Sequence, residues 1–508
     1  MPAPEITTSA ADYARSVAAQ ARQLVNHAPF QSDIFQILAD RLGHELRTTE
    51  NPELNIDVVV HLLPGRGINK PRRLSSTREL DDLGSIISAL LPRCSNPDEI
   101  PKIILLRGYQ PPECLNRIGA RFMVNPQVYL RHLQYLWADR PSRLFSSPSL
   151  PSASVDIVSL CVISLGEHLS EQPFETLRMN AKQSMNDYLH EVIVDQHPKP
   201  GVSLLRGYWV HDSTYFSIEQ EITVSLQRQR GQWSLLIWTD LAGPLSSGPP
   251  VPWCTQPIAQ SKQAKSPLLP HSRSSSDIPL STLSPAPFPF SPRKIQSLPH
   301  ISLRPSSSFG AGLDADLMAA DPFYCLSDLF ELSAYSIDQI LKLIEARISE
   351  NTSHNPSQSQ HSSHADLHYQ HVLLSRIRKR VSKSLSDIKQ YRVSWPNTTN
   401  AQQQIEVAKV TNDLQQDFEN LHDRIDYLLT RCSDGMNMCM SLAAINGAEK
   451  ARLQAEKIGQ LTWLAFFYTP LSFTTSFFGM NLADFGEKGG LPTWLWFAVS
   501  VPIVTVSY

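Results

Sequence analysis

Two long runs without a charged side chain lie at the C-terminal end of the chain, at residues 458–478 and 491–508. A helix that crosses the hydrocarbon core of a bilayer needs about twenty apolar residues, with a minimum near seventeen. Both runs reach this length, and Trp494 and Trp496 are typical of a membrane–water interface. The sequence therefore predicts a large N-terminal region followed by two C-terminal transmembrane helices, and not a buried helical hairpin in a soluble protein.

The overall charge and the cysteines exclude several classes of protein. The 508 residues include 45 Lys and Arg against 48 Asp and Glu, a net charge of −3, so no basic field attracts nucleic acid. The seven cysteines are far apart and include no C-x-x-C pair, which argues against a disulfide framework and a thiolate zinc site. No nucleophile motif, hydrolase metal motif or cofactor loop occurs, so neither an enzyme nor a bound cofactor is expected.

The first 243 residues divide into two segments. Residues 1–50 have apolar side chains at helical spacing and predict a helical lead. In residues 51–243, short runs rich in β-branched residues alternate with helical stretches, which predicts an α/β cytosolic domain. The predicted strands are 56–63, 103–106, 155–165, 218–226 and 233–238, and the predicted helices are 112–118, 126–137 and 174–194.

Residues 244–310 differ sharply in composition from the segments on either side. Residues 244–309 contain 14 prolines and 16 serines. Because a segment of this composition has too few apolar side chains to form a core, the sequence predicts a disordered linker. Ser276 and Ser291 each have a basic residue or a proline close by, as kinase sites do. We therefore expect kinases as partners of this linker, with phosphate on these two serines.

Residues 311–457 are predicted to be helical and to end in a long stalk helix. After Asn400, apolar residues recur every three or four positions, and no proline interrupts them before Pro470. The roughly fifty stalk residues before the first charge-free run would span about 80 Å as a helix. Because its apolar stripe must be covered, this helix should pack on neighbouring helices of its own chain or of other copies.

Hydroxyl side chains gather on one face of the first predicted membrane helix, residues 458–478. At about 100° per residue, Thr462, Thr469, Ser472 and Ser476 fall within an arc of about 80°, and Thr474 lies off this arc. Such a stripe faces water or other helices and not lipid. One chain cannot enclose a channel, but several symmetric copies can. Simple helix–helix packing is the alternative.

Three motifs in this region closely resemble the first membrane helix and signature loop of the CorA family of magnesium transporters. They are Leu461-Thr462-x-x-Ala465, Pro470-Leu471-Ser472-Phe473 and Gly479-Met480-Asn481. Upstream, Leu106-Arg107-Gly108-Tyr109 through Arg131-His132-Leu133 resembles the N-terminal domain of fungal CorA-like proteins. Unlike family members, this chain carries no basic tail after its second predicted span, which ends at Tyr508.

The resemblance implies a homopentamer in a lipid bilayer, either the plasma membrane or an internal membrane, with a large cytosolic N-terminal region. It implies passive transport of Mg²⁺ or another divalent cation through a pore. The implied pore-lining residues are Thr462, Ala465, Thr469, Ser472 and Ser476, and the implied selectivity loop is Gly479, Met480 and Asn481. Asp484 and Glu487, in the loop between the two helices, would attract cations to the mouth.

Two other functions stay open. A zinc-type divalent transporter has the same architecture as a magnesium transporter. A non-conducting, membrane-anchored scaffold or signalling protein could keep the fold while its linker recruits partners, although the intact Gly479-Met480-Asn481 motif argues against this.

Four histidines define a further hypothesis. His361, His364, His368 and His371 lie at i, i+3, i+7 and i+10, on one helical face if the helix begins this early. Neutral imidazoles on adjacent turns can bind zinc and similar ions, which would make this face a sensor of internal metal. A histidine-rich polar segment without metal is the alternative.

Overall fold

The computed structural model describes most of the chain and divides it into two compact units. One unit consists of residues 1–349 and 372–429, and the other of residues 350–371 and 430–508. The described residues are 9–44, 55–63, 70–83, 100–137, 155–167, 174–195, 199–229, 232–243, 245, 248–253, 268–269, 309–310, 313–352, 360–395, 400–479 and 493–507.

The predicted helical lead forms two helices, α1 (Ala10–Leu24) and α2 (Pro29–His44). Ser9 caps α1, because its hydroxyl accepts a hydrogen bond from the Asp12 N–H while the Asp12 carboxylate accepts one from the Ser9 N–H. The buried Tyr13 hydroxyl donates to the Val124 carbonyl at 2.8 Å. The lead is therefore packed into the core of the α/β domain.

The α/β domain is built on one mixed sheet. Its strands lie in the order β2-β1-β3-β7-β6-β4-β8, with β5 also paired to β6. The β3–β7 pair is parallel and the other pairs are antiparallel. The strands are β1 (Asn55–Leu62), β2 (Lys70–Ser76), β3 (Lys102–Arg107), β4 (Ile157–Glu167), β5 (Gly207–Val210), β6 (Tyr215–Gln229), β7 (Gln232–Thr239) and β8 (Leu268–Leu269). All five predicted strands are confirmed, as β1, β3, β4, β6 and β7.

Helices cover this sheet with a continuous apolar core. They are α3 (Thr77–Asp81), α4 (Pro112–Phe122), α5 (Pro126–His132) and α6 (Phe174–His190), together with α1 and α2. A 3₁₀ turn (Gln134–Trp137) follows α5 and a π-helical turn (Glu191–Asp195) follows α6. The core takes alternate residues of three adjacent strands, as the two-residue period of a sheet face requires. These residues are Val58, Val60, Ile104, Leu106, Leu236 and Trp238.

The core of this domain continues past the predicted boundary at residue 243. Leu245 and Val251 are buried in it, and the Trp253 ring stacks on Phe216 with ring centroids 4.7 Å apart. Within the predicted linker the structure also describes β8, which pairs with the end of β4. Most of residues 244–310 lie outside the described residues, so the predicted disorder stays a prediction.

The described residues of the C-terminal half form five α-helices. They are α7 (Ala315–Ala320), α8 (Ser327–Thr352), α9 (Gln360–Ser394), α10 (Ala401–Gly479) and α11 (Thr493–Ser507). The Asn400 side chain caps α10 by accepting a hydrogen bond from the Gln402 N–H at 3.0 Å. With 79 residues, α10 is about 120 Å long and passes through Pro470 without a break. The long, uninterrupted helix that the sequence predicts after Asn400 is confirmed.

Helix α8 protects an edge of the sheet. The Ser333 hydroxyl donates to the Cys161 carbonyl at 2.6 Å, and the Ser336 hydroxyl accepts from the Ile163 N–H at 3.1 Å. Both backbone groups belong to β4, whose outer edge, among the residues that the structure describes, pairs with β8 at Leu165 and Gly166. Two helical serines thus satisfy the backbone groups that an edge strand would otherwise leave open to pairing.

Ion pairs join the helices to the sheet and to one another. On α9, Arg376 pairs with Glu219 at 2.6 Å, and Arg380, one turn later, is 3.5 Å from Glu221. Both acids lie on β6, two residues apart, so one helical turn matches one repeat of the strand. On α10, the two terminal nitrogens of Arg424 each lie 2.7 Å from a carboxylate of α8, one from Asp338 and one from Glu345.

A buried carboxylate on α9 leads to a prediction about pH. Burial raises the pKa of Asp387 to about 6, against the opposing effects of Lys383 and Arg131. Because the native pKa lies above the ordinary value of 3.8, the native state favours the protonated acid. The contribution of Asp387 to the free energy of unfolding is therefore complete below about pH 4. It falls by up to about 3 kcal/mol as the pH rises through about 6.

We therefore expect Asp387→Asn, which mimics the protonated acid, to raise the melting temperature of the full-length protein at pH 7.5. We also expect the melting temperature of this variant to change less between pH 4.5 and 6.5 than that of the wild type. Asp366→Asn, on the same helix and with a half-buried side chain, is the matched control. A wild-type melting temperature that falls steadily as the pH drops from 6.5 to 4.5, unchanged by Asp387→Asn, would disprove this assignment.

The predicted transmembrane helices correspond to the end of α10 and to α11. In the part of the chain that the structure describes, no helix combines the length and the apolar character needed to cross a membrane. The transmembrane hairpin stays a prediction of the sequence.

Candidate functional site

The predicted hydroxyl stripe lies on an exposed face of α10. Thr462, Ala465, Thr469, Ser472 and Ser476 are all exposed in the single chain. The Thr462 hydroxyl donates to the Ile458 carbonyl at 2.8 Å, so it occupies a backbone acceptor while its own oxygen still faces outward. The structure thus brings the five predicted residues together on one uncovered helix face.

The opposite side of α10 packs on α11. Thr474, predicted to lie off the stripe, is 2 % exposed, and Ser500 on α11 is 1 % exposed. The Ser500 hydroxyl donates to the Thr474 hydroxyl oxygen at 3.0 Å. Thr474 lies about 160° around the helix from the centre of the stripe at 100° per residue. The stripe therefore points away from α11.

Apolar side chains surround the stripe and are also uncovered. They are Leu461, Trp463, Leu464, Phe466, Tyr468, Phe473 and Phe477 on α10, and Trp494, Phe497, Val501 and Val506 on α11. An uncovered apolar patch of this extent marks a surface that meets other protein or lipid. A single chain therefore leaves this hairpin incompletely packed.

The predicted selectivity loop begins where α10 ends. Gly479 is the last residue of α10, which suits its expected role of letting the backbone turn. Met480, Asn481, Asp484 and Glu487 lie outside the described residues, as do the predicted phosphorylation sites Ser276 and Ser291. Their roles stay predictions.

The four histidines lie at the start of α9, which begins at Gln360 as the hypothesis requires. His368 is exposed, His364 and His371 are half-buried, and the side chain of His361 is outside the described part. Within that described part, no group of three or more His, Cys, Asp or Glu side chains lies close enough to hold a metal ion. The histidine metal site stays a prediction without structural support.

A buried polar network in the α/β domain was not found from the sequence. His132 at the end of α5 stacks on Trp238 of β7, with ring centroids 4.1 Å apart. Its Nδ1 lies 3.0 Å from the Thr223 hydroxyl and its Nε2 lies 3.3 Å from Asp240. The two oxygens of Asp240 also accept hydrogen bonds from Nε and Nη2 of Arg206, at 2.7 and 2.8 Å. The network joins a helix to the centre of the sheet.

The charges of this network are fixed by burial and by one another. Burial lowers the pKa of His132, which keeps the imidazole neutral. The positive charge of Arg206 outweighs the opposing effect of burial on Asp240 and lowers its pKa to about 2, so this carboxylate stays ionised. The side chains of His132, Thr223 and Asp240 are buried and that of Arg206 is nearly so, and their hydrogen bonds and charges stabilise the contact between α5 and the sheet.

The packing around Arg107 and Gly108 explains why the motif Leu106-Arg107-Gly108-Tyr109 requires these two residues. Gly108 has φ +60°, and a Cβ there would lie 2.2 Å from the Val202 carbonyl oxygen, so only glycine fits. Its carbonyl accepts a hydrogen bond from the Trp238 indole at 3.0 Å. The buried Arg107 pairs with Asp57 at 3.2 Å. A charged residue inside an apolar run, as at Arg107, is the signal by which sequence could have found this site.

Comparison with known proteins decides the relationship of the C-terminal region. Residues 315–508 match the family model described as CorA-like Mg²⁺ transporter protein. The C-terminal region of this chain is CorA-like. The match contains the whole hydroxyl stripe, Gly479 and Asn481, so it confirms the resemblance. The members of this family are transporters and not enzymes.

Two solved structures align with about nine-tenths of this chain. The CorA magnesium transporter from Methanocaldococcus jannaschii aligns over 89% of this chain and 96% of its own, with 11% identity and a TM-score of 0.37. The full-length CmaX protein aligns over 91% of this chain and 97% of its own, with 10% identity and a TM-score of 0.35. No curated protein matches the sequence.

Proposed function

We propose that the chain is a passive transporter of divalent cations, with Mg²⁺ as its substrate, and that it acts as a homo-oligomer in a membrane. The observation that carries the proposal is the exposed hydroxyl stripe of α10, on the side away from α11, leading directly to Gly479-Met480-Asn481. The family match over residues 315–508 supports it.

The geometry of α10 suits a path shared among copies. Neutral hydroxyl oxygens bind a hydrated cation without removing its water, and Mg²⁺ gives up water reluctantly. If each copy turns its stripe toward a common axis, the five residues from Thr462 to Ser476 line about 21 Å of path at 1.5 Å per residue. A pentamer, as in the family resemblance, is the proposed assembly.

The orientation follows from charge. Lys450, Arg452 and Lys457 are exposed just before the first charge-free run, which supports a cytosolic N-terminal region. The loop with Asn481 then faces the opposite side. Asp484 and Glu487 would raise the local cation concentration there, and a ring of Asn481 carboxamides would select the hydrated ion.

The stripe itself can be tested by substitution. We expect Thr469→Leu to remove most Mg²⁺ uptake in cells that lack their own magnesium uptake, because an apolar constriction gates by dewetting. Thr475→Leu is the matched control, since Thr475 is also exposed but lies about 120° from Thr469. Thr474, which the sequence alone suggests as a control, is unsuitable because it is buried against Ser500.

Four outcomes distinguish the candidate functions. Loss of uptake for Thr469→Leu alone supports the path. Equal uptake by both variants would place the path elsewhere on α10. Rescue by the wild-type chain of zinc uptake but not of magnesium uptake would favour a zinc-type transporter, and rescue of neither would favour a non-conducting scaffold.

A further inference from the structure

The contact between α10 and α11 contains one polar pair in apolar surroundings. Thr474 and Ser500 are almost fully buried, whereas most of their neighbours on both helices are exposed. Ser500 donates to Thr474 at 3.0 Å, and the Thr474 hydroxyl in turn donates to the Leu471 carbonyl at 2.9 Å. Both hydroxyl protons are thus used in one chain of hydrogen bonds that crosses from α11 to the backbone of α10.

The carbonyl at the end of this chain lies beside a weak point of the helix. Pro470 has no N–H, so it leaves the Phe466 carbonyl without its helical hydrogen bond and allows α10 to bend there. The Leu471 carbonyl, one residue later, accepts from the Thr475 hydroxyl at 2.7 Å as well as from Thr474. Through the Leu471 carbonyl, the Thr474–Ser500 pair is therefore tied to the first turn after the proline.

The second helix has the same arrangement. Pro502 lies inside α11, two residues after Ser500. Along the chain, both prolines lie on the far side of the Thr474–Ser500 pair from the loop at 480–492. The pair thus joins the two helix ends that hold this loop, and each helix has its bending point just outside the joined part.

We propose that Thr474 and Ser500 form a clamp that makes residues 471–479 of α10 and 493–500 of α11 move as one body, with bending confined to Pro470 and Pro502. The clamp is a positioning element for the loop that starts at Gly479, and this part rests on the proposed transport function. In hydrocarbon a hydroxyl without a partner is costly, so the pair also fixes how α11 is rotated against α10.

Cross-linking tests the contact without any need for transport. With the two hydroxyl oxygens 3.0 Å apart, the two Cβ atoms lie no more than about 6 Å apart, so a small movement of the helices brings them to the roughly 3.5–4.5 Å of a disulfide. We expect the full-length variant Thr474→Cys with Ser500→Cys, oxidised in membranes, to yield the 474–500 disulfide peptide in a non-reducing digest. Thr475→Cys with Ser500→Cys, on an exposed neighbouring position, should yield none. Absence of the first disulfide, or equal yields from both pairs, would overturn the clamp.

Transport tests the positioning role. Thr474→Ser keeps the hydroxyl and should retain Mg²⁺ uptake, whereas Thr474→Val keeps the shape and should reduce it at equal amounts of assembled protein. Uptake by Thr474→Val equal to that of the wild type would overturn the positioning role. If the wild-type chain carries no Mg²⁺ while the 474–500 disulfide forms, the proposed function fails and the clamp stands.

Discussion

Replacing Asn481 with Ala should abolish Mg²⁺ uptake while leaving assembly and membrane insertion intact. In the proposed oligomer each copy contributes one carboxamide to the mouth, so the substitution removes a whole ring of oxygens at once. A hydrogen bond to a charged group contributes about 1.5–3 kcal/mol, and the loss of two such contacts already slows passage by about a hundredfold. The effect is measured as Mg²⁺ uptake into cells that contain a magnesium-sensitive dye, normalised to the amount of the protein in the membrane.

The matched control is Asn446→Ala. Asn446 is an exposed asparagine on α10, well before the charge-free run, so the same change there should leave uptake unchanged. Undiminished uptake by Asn481→Ala would remove this residue from the selectivity mouth. Equal losses in the two variants would point to a general effect on folding.

Asp240→Ala should be the most destabilising single substitution in the α/β domain among those considered. Asp240 is fully buried and binds Arg206 through two hydrogen bonds while it also faces His132. Its removal leaves the Arg206 guanidinium buried without a counter-charge, which costs about 3–5 kcal/mol. We expect a large fall in the melting temperature of the full-length protein, and little folded protein at 37 °C.

Asp156→Ala provides the control for Asp240→Ala. Asp156 is about half-exposed and lies 3.8 Å from Arg228, a surface pair that contributes less than about 1 kcal/mol. If the two substitutions lower the melting temperature by similar amounts, the buried network does not hold the domain together as described.

The regular parts of the fold could be predicted from the sequence because their periodicity is strong. All five predicted strands are present, and α10 runs from Ala401 to Gly479 as the apolar spacing after Asn400 requires. The strand β2 was missed because Lys70, Pro71 and Arg72 suggest a basic turn, although this composition also suits an exposed edge strand. The strands β5 and β8 are too short for an alternation of apolar and polar residues to be recognised in the sequence.

The candidate site was predictable only in part. The hydroxyl stripe follows from helical geometry, which depends on spacing alone, whereas its role as the lining of a pore stays a prediction. The clamp was not predictable, since only the packing of α11 reveals that Thr474 is paired and which serine it meets. In the same way, His132 lies about 90 residues before Thr223 in the sequence, and Thr223 lies about 20 residues before Asp240. Only the folded sheet brings these three residues together.

The most direct test of the proposed function is ion flux through the purified chain. The full-length protein, reconstituted in liposomes that contain a magnesium-sensitive dye, should admit Mg²⁺ down its gradient without ATP or another energy source. The flux should fall steeply in Thr469→Leu and Asn481→Ala, and not in Thr475→Leu. An assembled, correctly inserted protein that admits Mg²⁺ no faster than protein-free liposomes would contradict the proposal.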